Sequence, residues 1–149
     1  MVENIEYSYN AKYLSHYMSC FREDFIFHLA PQSSQPPDTT WGYDVEESFH
    51  EPMFEYVDEI DLEFTGNVEY PWSGDSTGQS LALQRSFDLK VYYAVPGSPY
   101  EGSCASGSVL FICRPDSNGD WYVWQWWDSS ETGRQGLDSL SWTDIKTLF

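Results

Sequence analysis

The sequence is poor in basic residues. Its 149 residues include 7 lysines and arginines against 24 aspartates and glutamates, which gives a formal net charge of -17 at pH 7. A charge of this sign and size opposes approach to a phosphate backbone or an anionic membrane surface. We therefore expect no nucleic-acid partner and no membrane partner.

Long apolar runs are also missing. No run of 18 apolar residues occurs, and the opening MVENIEYSYN has neither the basic segment nor the apolar core of a secretory signal. The chain as given is expected to be soluble and to carry no export signal, with its compartment left open. Its 41% hydrophobic content, with 7 Trp, 11 Tyr and 9 Phe, is too high for a disordered acidic chain. We expect one domain over residues 1–149.

Motifs for metals and common cofactors are absent from the sequence. Cys20, Cys104 and Cys113 lack metal-ligand spacing, so free thiols are expected, with a Cys104–Cys113 bridge across a hairpin as the alternative. Segment 102–107 has the glycine spacing of a phosphate loop but lacks the Lys-Ser/Thr that should follow it, and no nucleophile elbow, zinc-protease helix or EF-hand occurs. We expect no metal and no cofactor.

Hydrophobic periodicity predicts two helices in the first third of the chain. Asn10 is predicted to cap the first helix, whose apolar stripe is Tyr13, Leu14, Tyr17, Met18 and Phe21. A short strand over 24–29 follows. The second helix is predicted to begin at Asp44 with Glu47 as its capping-box partner, and Pro52 should kink or end it. Its core-facing residues are predicted to be Val45, Phe49 and Met53.

Alternating apolar residues predict strands in the rest of the chain. One strand begins at residue 58, and others span 80–95, 109–114 and 121–128. Asn118-Gly119 predicts a hairpin between the last two strands. Residues 71–79, 96–107 and 129–138 are predicted to be connections. Residues 141–149 are either one closing helical turn or an extended tail.

The order of these elements resembles the nuclear transport factor 2-like, or SnoaL-like, superfamily in its bacterial form. The similarity covers nearly the whole chain, although Pro52 and segment 66–79 depart from the commonest pattern. It is carried by Phe25-x-Phe27, Trp41-Gly42 leading to Glu47-x-Phe49-His50-x-x-Met53-Phe54, Trp121-x-Val123-x-x-Trp126-x-Asp128, and Ser141-Trp142-x-x-Ile145-Lys146-x-x-Phe149.

This resemblance implies an α+β fold of the cystatin/NTF2-like type. A curved antiparallel sheet would wrap around N-terminal helices as a cone, leaving an apolar cavity open at one end, and we expect a homodimer through the sheet. Relatives include isomerases, dehydratases, epoxide hydrolases and polyketide cyclases, but also transport adaptors. The fold by itself therefore selects no function.

Two polar residues are candidates for chemistry in such a cavity. His28 alternates with Phe27 and Leu29 and could be a general base, or a structural histidine bonded to a neighbour. Arg85 shares strand parity with the apolar residues around it, so it could face inward and clamp a carboxylate. A β-bulge that turns Arg85 outward is the alternative, and an inward Arg85 needs an accompanying anion.

The aromatic run 121–127 places rings on both faces of its strand. One face should pack in the core while the other contacts a dimer partner or forms a platform for an apolar ring or a sugar. Asp128, at the end of the strand, is expected to be a turn residue rather than a catalytic acid. The candidate binding residues, besides Arg85, are Tyr93, Trp124, Gln125 and Trp126.

The sequence as a whole favours a domain that binds a small apolar or carboxylate-bearing molecule in its cavity, without catalysis. One alternative is an isomerase, dehydratase or cyclase in which His28 accepts a proton while Arg85 or a tyrosine hydroxyl stabilises negative charge. Another is a carbohydrate-binding β-sandwich or a protein-interaction module, although a β-sandwich would not need the two amphipathic helices.

Overall fold

The protein has an α+β architecture in which one curved, unclosed sheet carries helices on one side. The computed structural model describes residues 1–31, 39–75, 78–94, 101–131 and 138–149. Its helices are α1 (Val2–Ala11), α2 (Leu14–Met18), α3 (Tyr43–Tyr56) and α4 (Trp142–Lys146). Its strands are β1 (Ile26–His28), β2 (Thr40–Trp41), β3 (Glu59–Pro71), β4 (Leu81–Tyr92), β5 (Gly102–Pro115), β6 (Trp121–Glu131) and β7 (Asp138–Ser139).

The sheet runs in the order β2-β1-β6-β5-β4-β3. Strands β3 to β6 form an antiparallel meander, β1 joins β6 in parallel, and β7 pairs with β5 beyond the end of its pairing with β6. This arrangement confirms the predicted cone and contradicts the β-sandwich alternative. Among the described residues, no helix combines the length and the apolarity needed to cross a membrane.

The first helix begins earlier than the periodicity predicts, so the prediction that Asn10 is its N-cap is wrong. Val2, Ile5 and Tyr9 form the buried stripe of α1, which ends at Lys12 in the left-handed conformation (φ 52°). Asn10 instead exchanges two hydrogen bonds with the backbone of Leu62 in β3, at 2.7 and 3.0 Å. The predicted helix corresponds to α2, which spans only Leu14–Met18, and α1 precedes it as a helix that the periodicity does not predict.

The buried face of the helix α3 matches the predicted one only in part. Val45 is 40% exposed, whereas Glu46 and His50 are fully buried together with Met53. Met53 is buried as predicted, but Glu46 and His50, which have interior partners, take the places on the buried face that were predicted for Val45 and Phe49. The helix also continues past Pro52 and ends at Tyr56.

The predicted alternation in the strands is confirmed, but β5 is longer than expected. Residues 102–107, predicted to be a connection, form its first half. Gly107 lies there at φ 139°, and a Cβ atom at this position would approach the Ser129 carbonyl oxygen to 2.4 Å. The small residues of this segment therefore permit close strand pairing with β6. The predicted hairpin at Asn118-Gly119 joins β5 to β6 as expected.

The inner face of the sheet is filled with aromatic rings. Trp142, from α4, lies within 6 Å of the ring centroids of Tyr9, Phe64, Phe87 and Trp126. The indole of Trp142 is fully buried. The closing segment is thus a helical turn whose side chains enter the cone where the resemblance implies an open cavity. Cys20, Cys104 and Cys113 are buried, and no disulfide joins them.

Candidate functional site

A polar network lies inside the cone, centred on the carboxylate of Glu46. This side chain is fully buried and accepts hydrogen bonds from Tyr17 Oη at 2.6 Å and from the indole nitrogen of Trp41. The Glu46 carboxylate also accepts a hydrogen bond from Lys146 Nζ at 2.6 Å. Glu46 and Lys146 thus form an ion pair, and both side chains are fully buried. Four elements, α2, β2, α3 and α4, therefore meet at one carboxylate.

The ammonium of Lys146 is stabilised by rings as well as by charge. Its Nζ atom lies 3.6 Å from the ring centroids of both Phe27 and Trp126. Contact of a desolvated cation with ring faces is worth about 2 kcal/mol in favourable cases. Burial lowers the pKa of Lys146 to about 8 in spite of its pairing with Glu46. The ammonium is therefore the main form at pH 7.

The charge of Glu46 is maintained by its partners. Burial acts to raise its pKa, but the Lys146 ammonium, His50 and the hydrogen bonds from Lys146 and Tyr17 more than offset burial and lower the pKa below its usual value. A buried ion pair of this kind adds little net stability, whereas the loss of either partner leaves an uncompensated charge. The pair therefore makes α3 and α4 depend on each other.

His50 and Tyr9 form a dyad beside this ion pair. His50 Nδ1 lies 2.7 Å from the backbone oxygen of Glu46, so this nitrogen carries the proton and Nε2 is an acceptor. Tyr9 Oη lies 2.5 Å from Nε2 and accepts a hydrogen bond from Trp142 Nε1 at 2.9 Å. Burial lowers the pKa of His50 to about 4. The imidazole is neutral at pH 7 and has the geometry of a proton acceptor, but Trp142 covers the tyrosine.

The predicted catalytic residue His28 lies on the other side of the sheet. Its neighbour Phe27 is fully buried in the core, so His28 points to the outer face. Its Nε2 is 2.9 Å from Gln125 Oε1, and its ring stacks on Trp127 with centroids 3.8 Å apart and planes 3° from parallel. Burial lowers the pKa of His28 despite the hydrogen bond to Gln125. His28 therefore covers one face of the Trp127 indole and fixes the orientation of that ring.

The outer face carries a groove beside this stack. Trp127 and its register partner Leu110 alternate with the core residues Trp126 and Phe111, so they share the outer face. Trp72 follows β3, and its ring centroid lies 5.9 Å from that of Trp127. The groove has a volume of about 400 Å³ and is lined by Tyr70, Trp72, Gln84, Ser108, Val109, Leu110, Trp127 and Ser129.

Arg85 is not brought together with His28. It keeps the inward parity predicted for it, and its side chain is 11% exposed. The bulge in this part of the sheet lies in β3, between Thr65 and Val68, and not in β4. Arg85 donates to the Val68 carbonyl at 3.2 Å and lies 3.4 Å from the carboxylate of Glu69, which is therefore the accompanying anion.

The other predicted binding residues are dispersed. Trp126 is fully buried beneath Lys146, whereas Trp124 lies under the guanidinium of Arg114 at 3.9 Å. Tyr93 Oη is 2.5 Å from Ser103 Oγ, and its ring packs on Phe149. Of these residues, only Gln125 lies next to His28.

A second groove, of about 680 Å³, contains Arg22 and Arg114 in ion pairs with Asp116 and Asp24.

The prediction that Asp128 is a turn residue is wrong. Its carboxylate is buried and accepts from the backbone nitrogen and the hydroxyl of Thr143, at 2.8 and 2.7 Å, and from Ser130. Burial raises its pKa, although these hydrogen bonds act against that shift. Asp128 therefore attaches α4 to β6. Sequence reasoning missed it because the strand continues three residues beyond the predicted end.

The sequence also failed to identify the interior network. Glu46 and His50 are four residues apart on α3, which places them on one helix face, and this spacing was the available signal. Val45, Phe49 and Met53 repeat with the same period, so the sequence offers an apolar face that competes with this one. Lys146 carried no signal by itself, since its partner lies 100 residues away in the chain.

Comparisons with known proteins agree with this architecture. No protein-family model and no curated protein matches the sequence. A nuclear transport factor 2-like superfamily protein from Salmonella enterica has a TM-score of 0.65 at 11% identity, with 91% of this chain and 88% of that chain covered. A ketosteroid isomerase-like protein from Erwinia carotovora atroseptica has a TM-score of 0.60 at 14% identity, with 89% and 92% covered.

A scytalone dehydratase-like protein from Novosphingobium aromaticivorans has a TM-score of 0.67 at 9% identity, with 92% of this chain and 86% of that chain covered. Identities this low support a shared backbone and nothing about shared chemistry. The sheet order and the N-terminal helices agree with these superpositions. The chain has the nuclear transport factor 2-like fold.

Proposed function

We propose that the protein is a non-catalytic binding domain whose outer-face groove holds an uncharged, ring-shaped small molecule. The observation that carries this proposal is the groove of about 400 Å³ that Trp72 and Trp127 help to line. The interior, by contrast, is occupied by the protein's own Trp142 and Lys146, which are fully buried. Binding therefore takes place on the outer face while α4 is in position.

The walls of the groove suit a ring. One face of the Trp127 indole is covered by His28, which leaves the other directed across Leu110 toward Trp72. A ring that packs against these two indoles buries apolar surface on one of its faces, and stacking adds about 0.5–1.5 kcal/mol beyond the buried area. His28 and Gln125 act as positioning residues, because they fix the plane of Trp127.

The remaining lining residues favour an uncharged ligand with hydroxyl or carbonyl groups. Gln84, Ser108, Ser129 and Tyr70 offer amide and hydroxyl groups, and none of the eight lining residues is charged. The net charge of -17 opposes the approach of anions. A pyranose ring or a phenol has the required combination of an apolar face and a polar edge.

The experiment compares two tryptophan substitutions on β6. Trp127→Ala removes a groove wall, whereas Trp121→Ala removes an indole that is 44% exposed and lies outside the groove. Calorimetric titration with a methyl pyranoside and with p-cresol is expected to show binding to the wild-type protein. Trp127→Ala should weaken that binding by about tenfold or more, because the lost stacking and burial exceed about 1.4 kcal/mol. Trp121→Ala should leave it unchanged.

A second copy of the chain is the competing occupant of the same face. If the expected homodimer forms through the sheet, light scattering will show a dimer that Trp127→Ala converts to a monomer. A dimer of that kind, with no binding of either ring compound, would contradict the proposed function.

A further inference from the structure

The outer groove opens onto a row of hydroxyl groups that crosses the sheet. Thr65 pairs with Ser86, Ser86 with Ser108, and Ser108 with Ser129, so each of the strands β3 to β6 contributes one residue to this hydroxyl row. Ser129 is two residues from Trp127, so the whole row lies on the outer face. Ser108 and Ser129 line the groove. The other two residues continue the row beyond the groove, toward the edge of the sheet.

The hydroxyl row is accessible and has no internal hydrogen bonds. Three of its residues are exposed, and Ser108 is partly buried. Within the part of the chain that the structure describes, none of the four hydroxyls bonds to another group of the protein. By contrast, Ser130, which faces the interior, donates to Asp128. The row therefore presents four hydroxyl groups, each able to donate and to accept, to a molecule on the outer face.

The spacing of the hydroxyl row is set by the sheet. Neighbouring strands lie about 4.8 Å apart, so the three spacings between four strands give the row a length of about 14 Å. This length exceeds that of a single sugar ring. An extended glycan chain advances by a distance similar to one strand spacing per ring and carries hydroxyl groups along both edges. Successive rings of such a chain would therefore meet successive hydroxyls of the row.

The residues on either side of the hydroxyl row favour a neutral chain. On one side, Glu63 pairs with Asp88, and Glu131 lies two strands further along the same line of paired residues. These carboxylates would repel an anionic glycan that lay on the row. On the other side lie Leu110 and Trp127, which carry no charge and can pack against the apolar face of a ring.

We propose that the outer face binds an extended, neutral oligosaccharide of about four rings, with one ring on Trp127 and the others along the hydroxyl row toward Thr65. This inference rests on the proposed function, because it extends the ligand of the same groove from one ring to a chain. A β-linked glucan is straight enough to follow the row, whereas an α-linked glucan coils away from it. Ser86 and Thr65 are positioned to contact rings that the groove itself does not hold.

The first test is the dependence of binding on chain length and linkage. Methyl β-glucopyranoside, cellotetraose and maltotetraose are titrated into the wild-type protein in a calorimeter. Cellotetraose is expected to bind about tenfold or more tighter than the single ring, because its added rings form hydrogen bonds with Ser86 and Thr65. Maltotetraose contains the same rings in a coiled chain, so its affinity should stay close to that of methyl β-glucopyranoside.

The second test removes the hydroxyls that lie outside the groove. Ser86→Ala/Thr65→Val deletes two exposed hydroxyl groups with little change in shape, and neither residue lines the groove. This variant should weaken cellotetraose binding about fivefold or more and leave binding of methyl β-glucopyranoside unchanged. Ser106→Ala is the matched control, because Ser106 pairs with Glu131 on the same face but outside the hydroxyl row. It should behave as wild type with both sugars.

The outcomes separate this inference from the proposed function. If methyl β-glucopyranoside or p-cresol binds but cellotetraose binds no tighter, or if the two tetrasaccharides bind equally, the inference is wrong and the proposed function stands. A gain for cellotetraose that survives in Ser86→Ala/Thr65→Val would also overturn the inference, since the added rings would then lie elsewhere. If no compound binds, or if a second copy of the chain covers this face, both proposals fail.

Discussion

Replacement of Lys146 by methionine should strongly destabilise the protein. The substitution keeps a long side chain between Phe27 and Trp126 but removes the only cation in contact with Glu46 among the described side chains. Breaking a buried ion pair by removing one partner costs about 3–5 kcal/mol. A domain of this size has about 5–15 kcal/mol of stability in total, so the expected loss is a large fraction of it.

The pH dependence of this loss identifies its cause. Without Lys146, the pKa of Glu46 should rise, because burial then acts against the charge with fewer opposing interactions. Protonation removes the unpaired charge, so the difference in unfolding free energy between wild type and Lys146→Met should shrink as the pH falls. A loss caused by poor packing of the methionine would be the same at every pH.

A double-mutant cycle completes this test. Glu46→Gln removes the charge while keeping polar contacts for Tyr17 and Trp41, so Glu46→Gln/Lys146→Met should be more stable than Lys146→Met alone. Urea unfolding at pH 7, followed by circular dichroism, gives the four free energies. A coupling energy of at least about 2 kcal/mol is expected for groups in one buried network. Additive losses, or a loss below about 1 kcal/mol for Lys146→Met, would show that the Glu46–Lys146 pair is not coupled as described.

Two further predictions concern His50 and the glycines. His50 has a pKa of about 4 when folded against 6.5 when unfolded, so the unfolded chain binds more protons between these values. Stability should therefore fall by about 3 kcal/mol as the pH drops from 6.5 to 4, and His50→Gln, which cannot titrate, should lose this part of the pH dependence in urea unfolding. Gly107→Ala should cost about 1–3 kcal/mol because its Cβ meets the Ser129 carbonyl at 2.4 Å. Gly119→Ala should cost about 1 kcal/mol in the same assay, since φ is 84° but no atom lies within 4 Å.

Most of the sheet could be predicted from the sequence because strand alternation is local information. Ile60, Leu62 and Leu89 are buried as their parity predicts, and Asn118-Gly119 forms its hairpin. The helix boundaries could not be predicted as well, because tertiary contacts decide them. Asn10 has the chemistry of a helix cap, yet the open backbone of Leu62 offers it two hydrogen bonds in the folded protein.

The interior site was harder to predict for a related reason. From the sequence alone, a glutamate is expected on the surface unless its partners are known. The partners of Glu46 lie in three other elements, α2, β2 and α4. His28 illustrates the opposite case, because alternation correctly separates it from Phe27 but does not say which of the two faces the core. The outer groove depends on Trp72, which follows β3 in a segment that was predicted to be a connection.

The most direct test of the proposed binding function is an NMR titration that follows the indole N–H signals of the seven tryptophans with p-cresol and a methyl pyranoside. Substitution of each tryptophan by phenylalanine assigns the signals. A ring compound bound in the outer groove is expected to shift the signals of Trp72 and Trp127 and to leave those of Trp126 and Trp142 in place. Shifts confined to Trp126 and Trp142, or no shift at all with either compound, would contradict this expectation.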